Sequence, residues 1–245
     1  LQVRFQPTNG GAMGCCYTKI EGPSVTGVLY AAYGNHNVTE KVRSAFHDGD
    51  EFINADNEVF HDKDLFVQKT LTVLFILENQ DILWKTAEEG TTMSFIDIPS
   101  RRHTKTQYPT LPPGILFALY GEHDVSKDVR GKHRTSQMLN ESTEFANKSE
   151  LFEQVPVVNK GDLTIFFSME SEDLSHRVGF EGKKLTLGTD IPDMPEDIAS
   201  DYHIYGVEAY QKIWNEDKQG DAYIDGTSWS SWFQKGNDQP SCSSQ

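Results

Sequence analysis

The sequence predicts an all-β protein built from two to three related β-sandwich, jelly-roll-like repeat units, the third formed from both chain ends. Three observations predict it. The stretch "YGNHNVTEKVR" from Tyr33 is nearly restated as "YGEHDVSKDVR" from Tyr120, which marks an internal repeat. The match continues outward on both sides of the phrase. The matched segments are short, rich in Val, Ile, Phe, Thr and Tyr, and separated by Gly, Asn or Asp, which is strand-and-turn chemistry.

Taken in order, "GVLYAAYGNHNV" lies beside "GILFALYGEHDV", and "LTVLFILENQDILWKTAEEGTTMSFIDIP" lies beside "LTIFFSMESEDLSHRVGFEGKKLTLGTDIP". The first two units are therefore residues 27–99 and 114–192. "LTVLFI" and "LTIFF" read as their clearest strands. "ENQD" at Glu78 and "ESED" at Glu170 read as hairpin loops leading into a second strand around Trp84 and around His176. Within "NVTEKVRSAF", Val38, Val42 and Phe46 recur at helical spacing and Asn37 with Glu40 forms a capping-box pattern, so a turn or two of helix fits there. The flanking elements are too short and too branched for a helical bundle, and about six to eight strands per unit make a sandwich. The basic, proline-bearing "SRRHTKTQYPTLPP" reads as a linker or an extended crossing strand.

The third unit is drawn from residues 201–245 plus 1–26. "YGVEAYQKIWNEDKQGDAYID" from Tyr205 aligns with the front half of the first unit once one residue is deleted. "LQVRF" from Leu1 resembles "LTVLF" from Leu71, and Glu21-Gly22 matches Glu89-Gly90 and Glu181-Gly182. Closure of this kind removes exposed sheet edges and ties down the termini. Of the three cysteines, Cys15 or Cys16 paired with Cys242 would staple such a unit and leave one thiol over; buried free thiols are the alternative.

The bulk numbers narrow the partners. The 245 residues carry 37 acidic and 22 basic side chains, a formal net charge of −15. That excess repels phosphate backbones and anionic lipid and suits solubility or divalent cations, so neither nucleic acid nor membrane insertion is expected. No run of 18 or more apolar residues occurs, and Leu1 opens without a signal-peptide pattern. Sequons at Asn37, Asn140 and Asn147 permit N-glycosylation of a secreted chain.

The order Tyr-Gly, Asn/Asp-Val-Thr/Ser with Val-Arg, a Gly-Asp turn, then Lys-Thr-Leu-Thr-Val opening a strand pair resembles a β-sandwich domain found in fungal and bacterial proteins and at the end of some J-proteins. Tandem units of this kind are also similar in architecture to fruiting-body lectins, the oyster-mushroom lectin among them. That resemblance implies recognition of galactose-type or GalNAc sugars with calcium help. It also implies a secreted or extracellular setting, or a cytoplasmic one in a fruiting body. The second unit departs from the domain pattern, with Ser136-Gln137 in place of Gly49-Asp50.

Several residues are candidates for chemistry. The acidic run "HDGDEFINADNEVFHDKD" offers Asp48, Asp50, Asp62 and Asp64 as hard oxygen ligands for calcium, which takes about six to eight oxygens at roughly 2.3–2.6 Å. A solvated acidic loop is the plainer reading, and the spacing is not that of an EF-hand. His36 and His123 match after Tyr-Gly, followed by Asn37 and Asp124; these are sugar-contact candidates or structural hydrogen bonders. Arg43 and Arg130 also match and read as guanidinium forks to a carboxylate within the unit. Trp229 and Trp232, in the polar "DGTSWSSWFQKGNDQ", are the best rings for stacking on a pyranose, against a role capping the third core.

No GxSxG, HExxH, P-loop or dinucleotide fingerprint occurs, so the chain is not expected to be an enzyme. The expected function is a multivalent, lectin-like carbohydrate-binding protein with up to three shallow sites, since avidity compensates for weak single sites. Its partners would be glycans or glycoproteins, and further copies of the chain. The alternatives are a structural or accessory protein that binds another protein and, third, a polysaccharide-active enzyme.

Overall fold

The computed structural model describes residues 24–62, 68–96, 98, 108–146, 161–169, 174–180, 182–194, 196–200 and 203–218. The chain divides into two compact units, Leu1–Val207 and Glu208–Gln245. Among the described residues the first carries β1 (Val25–Tyr33), β2 (His36–Asn37), α1 (Thr39–Asp48), β3 (Phe52–Asn54), α2 (Asn57–Phe60), β4 (Thr70–Leu77), β5 (Ile82–Glu88) and β6 (Thr92–Ser94). It continues with β7 (Gly114–Tyr120), β8 (His123–Asp124), α3 (Ser126–Met138), β9 (Thr143–Ala146), β10 (Leu163–Ser168), β11 (Leu174–Gly179) and β12 (Lys184–Leu187). Then follow α4 (Glu196–Ser200), β13 (Ile204–Gly206) and α5 (Val207–Lys218), most of which falls in the second unit.

The fold is β-rich. One sheet has the order β13-β5-β4-β1-β2 and another β11-β10-β7-β8, with two-stranded ladders β3–β6 and β9–β12. The hairpin expected at "ENQD" joins β4 to β5, and β11 runs antiparallel to β10 with His176 on it. The segment "NVTEKVRSAF" is more helical than the sequence reading weighs. It gives the ten-residue α1, which buries Val42 and Phe46 at that spacing. The helix starts at Val38, which has no side-chain cap bond, and Glu40 pairs with Arg43 instead of closing a capping box. An outer layer of helix and short ladder, rather than a second large sheet, therefore covers one face of each main sheet.

The restated phrase can be read residue by residue in hydrogen bonds. Tyr33 and Tyr120 end their strands fully buried, and Gly34 and Gly121 turn the chain at φ 52° and 57°, the left-handed region that glycine enters freely. The Val38 N–H donates to Ala31 O and the Val125 N–H to Ala118 O, each at 2.9 Å. Thr39 Oγ1 accepts the Ala31 N–H at 3.0 Å and Ser126 Oγ the Ala118 N–H at 2.9 Å. Asn37 Oδ1 and Asp124 Oδ1 accept the N–H groups of Thr39 and Ser126 at 3.0 and 2.9 Å. These bonds dock the helix start onto the strand it follows, and they satisfy backbone groups that the helix end leaves open.

Arg43 and Arg130 complete the device. The register of β1 with β4 skips Leu29, and that of β7 with β10 skips Leu116, so each strand carries a bulge at the matched place. A bulge leaves ladder carbonyls without a strand partner. Arg43 donates to Val28 O at 2.9 Å and Leu29 O at 3.0 Å, and Arg130 donates to Leu116 O at 3.2 Å. Arg43 also donates one exposed bond to Glu40 Oε1 at 2.8 Å, a single contact to a carboxylate, while its half-buried contacts are to backbone.

One apolar cluster is shared by both sheets: Leu29, Tyr30, Leu74 and Ile76 from the first meet Leu116, Phe117, Leu119 and Phe166 from the second. Each such side chain contributes about 1.5–3 kcal/mol on full burial. The opposite faces are covered separately. Phe46 on α1 meets Phe75 and Phe95 at ring-centroid distances of 5.7 and 5.6 Å. Val129 on α3 joins Tyr120, Phe145, Ile165 and Leu187.

The Tyr205 segment places Ile204–Gly206 as a parallel edge strand beside β5, and α5 begins directly at Val207 with no counterpart of β2. Residues 1–23 and 219–245 lie outside the described residues, and with them the head strand, Cys15, Cys16, Cys242 and the closure of a third unit. No helix among the described residues is long and apolar enough to cross a membrane.

Candidate functional site

A cleft of about 710 Å³ opens beside the first turn of α1, within the range of about 300–1,000 Å³ typical of ligand sites. Its floor is Leu29, Tyr30 and Phe60, its rim on one side Asn37, Glu40 and Lys41, and its far wall Tyr108, Pro109, Leu111 and Leu174. The bulge in β1 and the start of α1 fix the near side. Arg43, tied to the bulge carbonyls, carries its guanidinium 4.7 Å from the centroid of the Tyr108 ring, so the same side chain that completes the strand also holds the far wall. Tyr108 keeps 42% of its surface exposed. Lys41 is anchored by a bond from Nζ to Val59 O.

Tyr30 on the floor donates from its hydroxyl to His176 Nδ1 at 2.9 Å, and His176 Nε2–H donates to Gly34 O at 2.9 Å. In the neutral ring Nδ1 accepts from Tyr30; on protonation Nδ1–H would donate to the Tyr30 oxygen instead. Burial pushes the Tyr30 hydroxyl up to about 12. Burial likewise holds the His176 imidazole below the usual histidine range, the bond to Gly34 opposing it and the charges of His36 and Arg177 adding to it.

Of the sugar-contact candidates, Asn37 lines the cleft, with its carbonyl oxygen engaged by Thr39 and its surface exposed. His36 sits on the same two-residue strand and meets Asp62, a calcium candidate, with Nε2 3.3 Å from Oδ2. His123 and Asp124 lie on β8, and Asp124 is occupied by Ser126. Trp229 and Trp232 lie outside the described residues, as does Asp64. Of the remaining calcium candidates, Asp48 accepts the Ser44 hydroxyl, Asp50 donates its N–H to Ala45 O, and Asp62 is paired with buried Lys69 at 3.1 Å. Elsewhere in the acidic run, Asp56 caps α2 through the Val59 N–H. Among the described residues no three His, Cys, Asp or Glu side chains converge on one point.

The cleft residues that sequence reasoning missed are Tyr108, Glu40 and Lys41. Tyr108 belongs to the "QYP" of the linker, where an aromatic before proline in an extended segment was the available signal. No family model matches the chain, and neither a curated protein nor a solved structure gives a match.

Proposed function

We propose that the protein is a non-catalytic carbohydrate-binding protein whose glycan site is the cleft beside α1. The observation that carries this reading is the half-exposed Tyr108 ring, braced by Arg43 and facing a polar rim of Asn37, Glu40 and Lys41. A pyranose presents C–H groups to such a ring while amide, carboxylate and ammonium groups take its hydroxyls. In this reading residues 27–99 and 114–192 are two copies of one unit, and residues 201–245 with 1–26 supply a third. Trp229 and Trp232 then offer a further stacking site, and calcium bound by the acidic run would organise the loops around it. Galactose and GalNAc termini are the sugars to try first.

The test is a glycan array read with calcium and again with EDTA. Galactose-type binding that Tyr108→Ala weakens at least about tenfold, equivalent to about 1.4 kcal/mol, supports the site. Binding unchanged by EDTA removes calcium and leaves the sugar. No glycan bound under either condition ends the proposal. The second reading, protein binding, rests on Met138 and Leu139, adjacent at the end of α3 with 79% and 65% of their surface exposed, the start of an apolar patch that a protein partner would cover.

A further inference from the structure

Beneath the Tyr33-Gly34 turn lies a polar cluster that the cleft does not use. Lys69 and Asp62 are each only 2% exposed at the side chain, with Nζ 3.1 Å from Oδ2. Lys69 Nζ also lies 3.0 Å from Asn57 Oδ1. The Tyr33 hydroxyl donates to that same carbonyl oxygen at 3.2 Å, and Asn57 Nδ2 donates to Glu89 Oε1. Glu89 is held in place by the Lys69 N–H on its other oxygen at 3.1 Å. Phe60 covers the Tyr33 ring at 4.8 Å, and the Lys69 stem lies against Gly34, where a Cβ would come within 3.1 Å of it.

From this geometry we infer that Lys69 and Asn57 form an intramolecular isopeptide bond, with Glu89 as the proton carrier. Every part that the transamidation needs is present. Nζ lies 3.0 Å from the oxygen of the amide whose carbon it attacks, so the two reacting groups are held together before any bond forms. Asp62 Oδ2, 3.1 Å from Nζ, is the acceptor for the ammonium proton that must leave before the Nζ lone pair can attack. Nζ then attacks Asn57 Cγ. The oxyanion that forms on Oδ1 receives the Tyr33 hydroxyl, and burial, followed by the charges of Glu89, Asp62 and Asp56, pushes the Tyr33 pKa up and keeps it a donor. Glu89 takes a proton from the attacking nitrogen and delivers it to Nδ2. The C–Nδ2 bond breaks, the C–Nζ bond remains, and ammonia leaves, carrying the proton stored on Asp62 as ammonium. His36, at 3.3 Å from Asp62 and half-exposed, lies on the way to solvent.

Among the described residues, the matched position of the second region has no amine. Gly161 holds the place of Lys69, two residues before the strand residue paired with Tyr120, as Lys69 is two before the one paired with Tyr33.

Intact-mass spectrometry of the full chain tests the bond. The expected mass is that of the sequence less one ammonia, with trypsin failing after Lys69 and releasing a branched peptide that joins Ser44–Lys63 to Asp64–Lys85. Lys69→Arg and Glu89→Gln should return to the uncorrected sequence mass. Wild-type chain at its sequence mass, cleaved normally after Lys69, overturns the inference. Loss of one water overturns it too, because that places the bond on Asp62. A folded Glu89→Gln chain, judged by circular dichroism, that still loses ammonia removes Glu89 from the mechanism. The reading of the mass does not depend on any variant folding, nor on the sugar proposal.

Discussion

Phe46 on α1 and His133 on α3 stand at the same step of the restated helix, yet the chain fills the two places by opposite means. Phe46 is fully buried in an aromatic trio. His133 is equally buried, but its Nδ1 meets Thr143 Oγ1 and its Nε2 meets Ile191 O, both at 2.9 Å. The regions differ in the same sense further on. Gly49, at φ 89°, stops α1, whereas Ser136 and Gln137 let α3 run to Met138. Gln137 then bonds Thr189 O and Ile191 O across the helix. What the two regions share is the strand–turn–helix frame with its bulge. What differs is the filling, and individuality resides there: the cleft and the buried lysine belong to the first region, and a hydrogen-bonded strap over α3 belongs to the second.

The largest test of this contrast is the core under each helix. Phe46→Ala should cost about 3–5 kcal/mol, seen as a lower midpoint in urea unfolding. His133→Phe, apolar and near in size, should also destabilise, by about 1–3 kcal/mol, because the buried Thr143 hydroxyl loses its partner while Ile191 O keeps Gln137. Were His133→Phe neutral, the polar filling would be incidental. Next come the bulges. Arg130→Ala should cost about 1–3 kcal/mol by leaving a carbonyl unmet. Arg43→Ala should cost a similar amount and also weaken glycan binding by releasing Tyr108, an effect that Arg130→Ala should lack. Smaller still is Gly49→Ala, expected to cost about 1–2 kcal/mol because a side chain resists the left-handed conformation; the matched position in α3 should accept alanine freely.

The restated phrase made the frame legible because each of its residues acts locally: Gly34 turns, Val38 and Val42 pack, and Thr39 docks the helix. The same locality hid the sites. Asn37 and Asp124 look like ligand groups in sequence; in the fold their side-chain oxygens also serve the next helix turn. Within the acidic run Asp56 caps a helix and Asp62 turns inward to Lys69, roles that a row of carboxylates does not announce. Nothing in one dimension tells a carboxylate that solvates a loop from one buried opposite a lysine seven residues on. Tyr108 meets α1 only through Arg43, which also holds the β1 bulge, a tertiary fact no periodicity encodes.

The smallest effect concerns the contact between the sheets, where the matched positions Trp84 and His176 each reach an aromatic of the other region. Trp84 packs on Phe117 at 6.0 Å, with no hydrogen bond needed. His176 packs edge-on to Tyr30 at 5.6 Å and is bonded at both nitrogens. Only that end can therefore sense pH. Because the folded pKa of His176 is depressed, the unfolded chain takes up this proton first as pH falls below about 6.5. More protons on the unfolded state mean falling stability, so the loss starts there and stops once folded His176 is itself protonated; above that range this group contributes no slope. Tyr30, Gly34 O, Phe166, His36 and Arg177 are the groups that face or bias the ring, and none supplies a carboxylate to hold a charged imidazole. Melting temperatures of the native chain and of His176→Gln, compared from about pH 7.5 down to about 5.5, should diverge at neutral pH and converge in acid. Parallel curves would mean that the histidine end is as indifferent to protons as the tryptophan end.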